Sequence, residues 1–150
     1  MAQSLSRILI HIVFSTKDRY PFLTPDIRSE LHAYLATALR TCEWPALVIN
    51  SVADHVHILC NLSRTRAVCE VIEEVKKSTS KWLKTKGGIL QKFFWQNGYG
   101  VFSVSPSNAE RVRAYIERQE LHHQDLTFED ELRALLAKHD VAFDERYLWD

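Results

Sequence analysis

Residues 47–62 read LVINSVADHVHILCNL, and this stretch decides the fold. LVINSV (47–52) and HVHILCNL (55–62) are two runs of β-branched and apolar residues, and Ala53-Asp54 between them suits a tight turn. The segment therefore reads as an antiparallel hairpin. Upstream, RILIHIVFS (7–15) has the same character and reads as a buried strand. The loop TKDRYPFLTPD follows, and Thr24 with Pro25 makes a helix start. Ile27, Leu31, Leu35 and Ala38 then recur at helical spacing to about Leu39, and Trp44-Pro45 ends that helix.

Downstream of the hairpin, Val68, Ile72, Val75, Thr79 and Trp82 or Leu83 trace a second amphipathic helix, stopped by Gly87-Gly88. VFSVS (101–105) reads as a fourth strand. Ser107 or Asn108 caps a third helix that carries Val112, Tyr115, Ile116 and Gln119. Asp125 to Thr127 breaks it, Phe128 to Lys138 reads as a fourth helix, and FDERYLWD is a tail. The order strand, helix, strand, strand, helix, strand, helix predicts an α+β fold. Its centre is a ferredoxin-like antiparallel sheet with helices packed on one face. Such a fold licenses no function by itself.

At 150 residues the chain suits one domain, 1–150, with 125–150 as a C-terminal helical extension. Hydrophobic residues are 46%, charged residues 25%, and Gly and Pro number four each, which excludes a disordered chain. Cys42, Cys60 and Cys69 are odd in number and widely spaced, against a disulfide framework or a cysteine zinc site and in keeping with a reducing cytoplasm. His11 interrupts the N-terminal apolar run, which lacks a small-residue cleavage site, so no signal peptide or membrane span is expected. Net charge is zero, yet Val75 to Ala109 contains no acid and carries Lys76, Lys77, Lys81, Lys84, Lys86 and Lys92. A local basic stretch attracts phosphates, although a solvated helix face is the plainer explanation.

His55 and His57 stand two apart in a strand, so both imidazoles share one face. Such a pair suits a divalent transition metal, or Mg²⁺ or Mn²⁺ where oxygen ligands complete the shell, though two histidines on an exposed strand are commoner. Tyr115 and Gln119 stand four apart on a helix and share a face, and the amide oxygen could be a third ligand. A phenol is a poor nucleophile until activated. His122, one turn beyond Gln119, could reach the same site, while His123 is expected to face elsewhere. His11 reads as a core-edge histidine, and His32 and His139 as surface residues. An unrelated metal hydrolase would want a carboxylate, for which Asp54 is the nearby candidate.

Taken together, HVH in the third strand and Y-x-x-x-Q in the helix after the fourth resemble the HUH endonucleases. They look most like the single-tyrosine transposases of the insertion-sequence-200-like group, including relatives associated with repetitive extragenic palindromes (REPs). The resemblance extends to Lys17-Asp18-Arg19, ADHVHIL (53–59), EEVKKSTSKWLK (73–84), FFWQNGYGVFSVS (93–105) and RAYIERQELHH (113–123). It implies Mg²⁺ or Mn²⁺ on His55, His57 and Gln119, and Tyr115 as nucleophile on the helix after the fourth strand. Single-stranded DNA with hairpin ends would be cut through a 5′-phosphotyrosine intermediate and rejoined, by a homodimer needing no nucleotide cofactor. Lys76, Lys77 and Lys81 would contact phosphates and Trp95 would stack on bases, with Phe94 and Phe102 expected in the core. The competing reading is a domesticated DNA or RNA hairpin-binding protein, or a nuclease that does not transpose. A larger replication initiator or relaxase, often with two tyrosines on its helix, fits less well.

Overall fold

The computed structural model describes residues 2–150. Four strands, β1 (Leu9–Ser15), β2 (Ala46–Ser51), β3 (His55–Asn61) and β4 (Gly100–Val104), form one sheet in the order β2-β3-β1-β4. Every neighbouring pair is antiparallel. The helices are α1 (Pro25–Thr41), α2 (Val68–Lys84), α3 (Ala109–Glu117), α4 (Gln119–His122) and α5 (Phe128–Lys138). The hairpin and the buried first strand thus lie where their composition places them.

Alternation divides β1 and β3 between two cores. Ile10, Ile12 and Phe14 with Val56, Ile58 and Cys60 point to one face, where Leu31, Leu35 and Leu39 of α1 and Val71, Ile72 and Val75 of α2 cover them. The sequence predicts helices on one face only, and α1 and α2 supply that layer. The C-terminal helices add a layer on the opposite face: Ile116 of α3 packs on Leu9, Leu59 and Val104, and Phe128, Leu132 and Leu136 of α5 pack on Val13 and Phe102. All seven residues of β1 are buried, as a strand covered on both faces requires. That second layer lies over the histidines of β3.

The expected third helix is divided. Arg118 (φ −99°, ψ 21°) separates α3 from α4, so Tyr115 and Gln119 lie on two short helices instead of one. Gly87 (φ 78°) and Gly88 (φ 57°) are left-handed just beyond α2, where glycine is favoured. Thr127 caps α5, its side chain accepting from the Asp130 amide.

Candidate metal and nucleophile site

The antiparallel register sets Ser15 opposite His55 and Val13 opposite His57, so both imidazoles emerge beneath α5. Both are fully buried. Each has its Nδ1 engaged: His55 donates to Oδ1 of Asp54 at 2.7 Å, and His57 shares a 2.7 Å hydrogen bond with Nε2 of His11. Their Nε2 atoms turn toward Glu131 of α5. Its Oε1 lies 2.9 Å from Nε2 of His57, 3.0 Å from Nε2 of His123 and 3.2 Å from Nε2 of His55. The His55 contact is off the line of a hydrogen bond, and that nitrogen has no hydrogen-bond partner.

Glu131 is 1% exposed. Burial pushes its pKa up, but the close imidazoles of His123, His55 and His57 outweigh that and hold it well below the usual carboxylate range. Burial lowers His57 to about 4, against the pull of Glu131. His11 falls to about 3, through burial and the neighbouring His57. Burial also opposes the charged form of His55, but Asp54 and Glu131 win and its pKa is raised.

Oε2 of Glu131 accepts the phenol hydrogen of Tyr115. Burial and the adjacent carboxylate push that phenol above its ordinary pKa, so it stays protonated until its proton is drawn away. The ring stacks on His122, with centroids 4.7 Å apart. A cavity of about 430 Å³ opens beside Tyr115, with His11, Arg111, Lys138 and His139 among its lining. Gln119 is fully buried; its Nε2 lies 3.4 Å from the Tyr115 main-chain oxygen, and its Oε1 has no hydrogen-bond partner.

His55 and His57 therefore stand together, with Tyr115 joined to them through Glu131 and flanked by Gln119 and His122. Sequence reasoning missed Glu131 and misplaced His123. His123 does not face elsewhere, because the break at Arg118 resets the helical register and turns it onto the cluster. His55, His57, His123 and Glu131 offer donor atoms all within 4.8 Å of one another. The available signal was a carboxylate inside the apolar stripe Phe128, Leu132, Leu136. His11 is a buried partner of His57, and His32 is half-buried against Ser51.

The expected DNA contacts separate. Lys76 donates to the carbonyls of Gln96, Asn97 and Gly98 at 2.7–3.2 Å, and its ammonium lies over the Phe14 and Tyr99 rings. Burial draws its pKa down to about 8. Lys77 and Lys81 are exposed. Trp95 offers no stacking face: it is 7% exposed, packs edge-on to Phe14 and Phe93, and donates to Oγ1 of Thr79 at 2.9 Å. Phe102 is in the core as expected, but Phe94 is 54% exposed, with Lys17 and Lys84 ammoniums over its ring. The bridge between Thr16 and Trp95 turns Trp95 inward and its neighbour outward. No helix among the described residues is long and apolar enough to cross a membrane.

Solved structures share this architecture. One, described as a "putative transposase" from Deinococcus radiodurans, is 18% identical with a TM-score of 0.62, over 79% of this chain and 98% of that one. Another, a REP-associated tyrosine transposase bound to a REP hairpin, is 15% identical with a TM-score of 0.60, over 96% of this chain and 93% of that one. No curated protein sequence matches the chain. The family profile described as "Transposase IS200 like" matches residues 4–119, from ahead of β1 to the first residue of α4, and by that match the chain belongs to the IS200-like transposase family.

Proposed function

We propose that this transposase cleaves and rejoins single-stranded DNA beside a hairpin, through a covalent 5′-phosphotyrosine on Tyr115. The observation that carries the reading is the Tyr115 phenol, hydrogen-bonded to a buried carboxylate that also faces the His55–His57 pair. The phenol oxygen attacks a backbone phosphorus and the bond to the 3′ oxygen breaks, leaving a free 3′-hydroxyl. The phenol proton has an acceptor in place, Oε2 of Glu131. A second 3′-hydroxyl reverses the step, so the phosphodiester energy is kept and no nucleotide cofactor is consumed.

The residues suit a divalent ion, Mg²⁺ or Mn²⁺ by family resemblance. Nε2 of His55 and Oε1 of Gln119 are buried without hydrogen-bond partners, which is costly unless something binds them. Held by His55 and His57 with Gln119 at hand, such an ion would neutralise the phosphate and stabilise the leaving oxygen. Arg111 and Lys138 line the cavity beside Tyr115 and would guide the strand. The solved REP-associated relative is bound to a hairpin, which supports the same class of DNA for this chain. We assign residues 1–150 to one working unit, with 125–150 as an extension carrying Glu131, and expect a homodimer.

The test is covalent trapping. The protein is incubated with Mn²⁺ and labelled single-stranded DNA from the flanks of its own gene, with Tyr115→Phe and a chelator as controls. A DNA-linked band that vanishes in both controls is the expected result. Binding without any adduct would instead favour a hairpin-binding protein that does not cleave.

A further inference from the structure

We propose that the cavity beside Tyr115 is a nucleobase pocket, which takes the purine of the nucleotide whose 5′-phosphate becomes joined to Tyr115. The choice of nucleotide rests on the cleavage reading above; the pocket itself rests on its own walls.

The cavity lies between α3 and α5, over β4, and its volume of about 430 Å³ is that of a small-molecule site. Phe102, Val112 and Leu135 give it apolar walls. His139 lies over Phe102 with ring centroids 4.6 Å apart and adds an aromatic surface. Asn108, Arg111 and Lys138 supply its polar groups. Apolar walls with a few polar groups suit a ring that is apolar on both faces and polar at its edge.

Helical spacing brings the two cations to this space. Arg111 stands four residues before Tyr115 on α3, about 6 Å along the axis and on the same face. Lys138 stands seven residues after Glu131 on α5, within about 20° of the same direction. Each helix thus carries one member of the Tyr115–Glu131 pair and, one or two turns away, a cation on the same face. Other cations of these helices are engaged: Arg113 faces Glu117, and Arg133 faces Asp130 and Glu145. Among the described residues Arg111 and Lys138 have no acidic partner, and the Asn108 side chain caps nothing. Unpaired cations around a cavity that the nucleophile itself lines suit an anionic ligand.

The attack leaves the 5′-phosphate on Tyr115 and frees the strand that ends in the 3′-hydroxyl. The retained nucleotide is then tethered to a wall of the cavity, with its base in reach. Both purines present N7 as an acceptor, which matches the donors of Arg111 and Asn108, and they stack over a larger area than pyrimidines. Lys138 is left for a neighbouring phosphate.

The experiment uses the full chain in chelator, which keeps ions off the histidines, and follows binding of the four deoxynucleoside 5′-monophosphates by ligand-observed NMR. dGMP and dAMP should bind with a Kd of about 1 mM or below. They should bind at least about fivefold more tightly than dCMP, TMP and deoxyribose 5-phosphate, which lacks a base. Arg111→Ala should weaken purine nucleotide binding at least about fivefold. Leu135→Trp, which fills the cavity, should abolish it; circular dichroism checks the fold of both variants. Deoxyribose 5-phosphate binding as tightly as dGMP would overturn the proposal, because the site would then hold phosphate alone. So would equal binding of all four nucleotides, binding of none, or a folded Arg111→Ala variant that binds like the wild type. Trapping separates the two readings, since mononucleotide binding needs no cleavage. Purine-selective binding without a DNA adduct keeps the pocket and removes the nuclease. An adduct that forms equally well with an abasic site just 3′ of the cut leaves the nuclease standing and removes the pocket.

Discussion

Tyr115 and Glu131, sixteen residues apart, are joined by a hydrogen bond in which the phenol donates to Oε2 of the carboxylate. The other oxygen of that carboxylate faces His55, His57 and His123. One buried side chain therefore holds the candidate nucleophile and the histidine cluster together. Tyr115→Phe removes one of three side chains hydrogen-bonded to Glu131 and should cost about 1–2 kcal/mol of stability while abolishing the covalent adduct. Glu131→Ala removes the carboxylate that all three share and that also faces His55, and should cost about 3–5 kcal/mol, as expected for breaking a buried ionic network. Urea unfolding in chelator measures both. Equal costs would mean that Glu131 is not the centre of the cluster.

The stability of the metal-free protein should fall in mild acid. His11 and His57 have folded pKa values of about 3 and 4, below the ordinary 6.5. Below pH 6.5 the unfolded chain takes up protons that the folded chain refuses, so stability drops as pH falls. His55 has a raised value, so its stabilising effect is nearly complete by pH 6.5 and below that it adds only a small slope of the opposite sign. The lowered Glu131 joins only when the unfolded carboxylate begins to titrate, near pH 4.5. Each of His11 and His57 should then cost about 2 kcal/mol between pH 6.5 and 5. His11→Gln should roughly halve the loss, read by unfolding in chelator at the two pH values. An unchanged loss in that variant would exclude His11 as a source.

Most of the framework was legible because the sequence kept strict periods. HVH in β3 placed two imidazoles on one face by alternation alone, and the stripes of α1, α2 and α5 gave their buried sides. The break at Arg118 was not legible, since AYIERQELH has no glycine or proline and reads as continuous helix. Glu131 was missed because a periodic reading assigns charged residues to the solvent face, although its place between Phe128 and Leu132 put it on the buried one. FFW (93–95) shows that neighbouring aromatics point in opposite directions, but not which points inward. That choice depends on a bridge to Thr16, almost eighty residues away in the chain.

The three lysines expected to touch DNA should behave differently. Lys76 ties the 96–98 loop to α2 through three carbonyls, so Lys76→Met should lower stability by about 2 kcal/mol. Lys77→Ala and Lys81→Ala, at exposed positions, should leave unfolding within about 0.5 kcal/mol of wild type. If they meet phosphates, each should reduce the salt dependence of single-strand binding by about 0.7 in log–log slope. Thermal unfolding and anisotropy titrations over a salt series check this. A salt slope unchanged in both variants would move the DNA path away from α2.

Phe94 and Trp95 provide a pair of substitutions one residue apart with opposite expected effects. The Trp95 indole fills space between Phe14 and Phe93 and satisfies Thr79, so Trp95→Ala leaves a cavity and an unfilled hydrogen bond. A loss of about 3–5 kcal/mol is expected. Phe94 packs little and is 54% exposed, with two lysine ammoniums near its ring, so Phe94→Ala should cost under about 1 kcal/mol. An open aromatic face beside cations is what an unpaired base needs, and stacking there contributes about 1–3 kcal/mol per base. Phe94→Ala should therefore weaken binding of a single-stranded oligonucleotide about 5- to 100-fold with little change in melting temperature. If binding is unchanged while stability drops, the exposed ring is a packing residue and the DNA lies elsewhere, with the cavity beside Tyr115 as the next place to look.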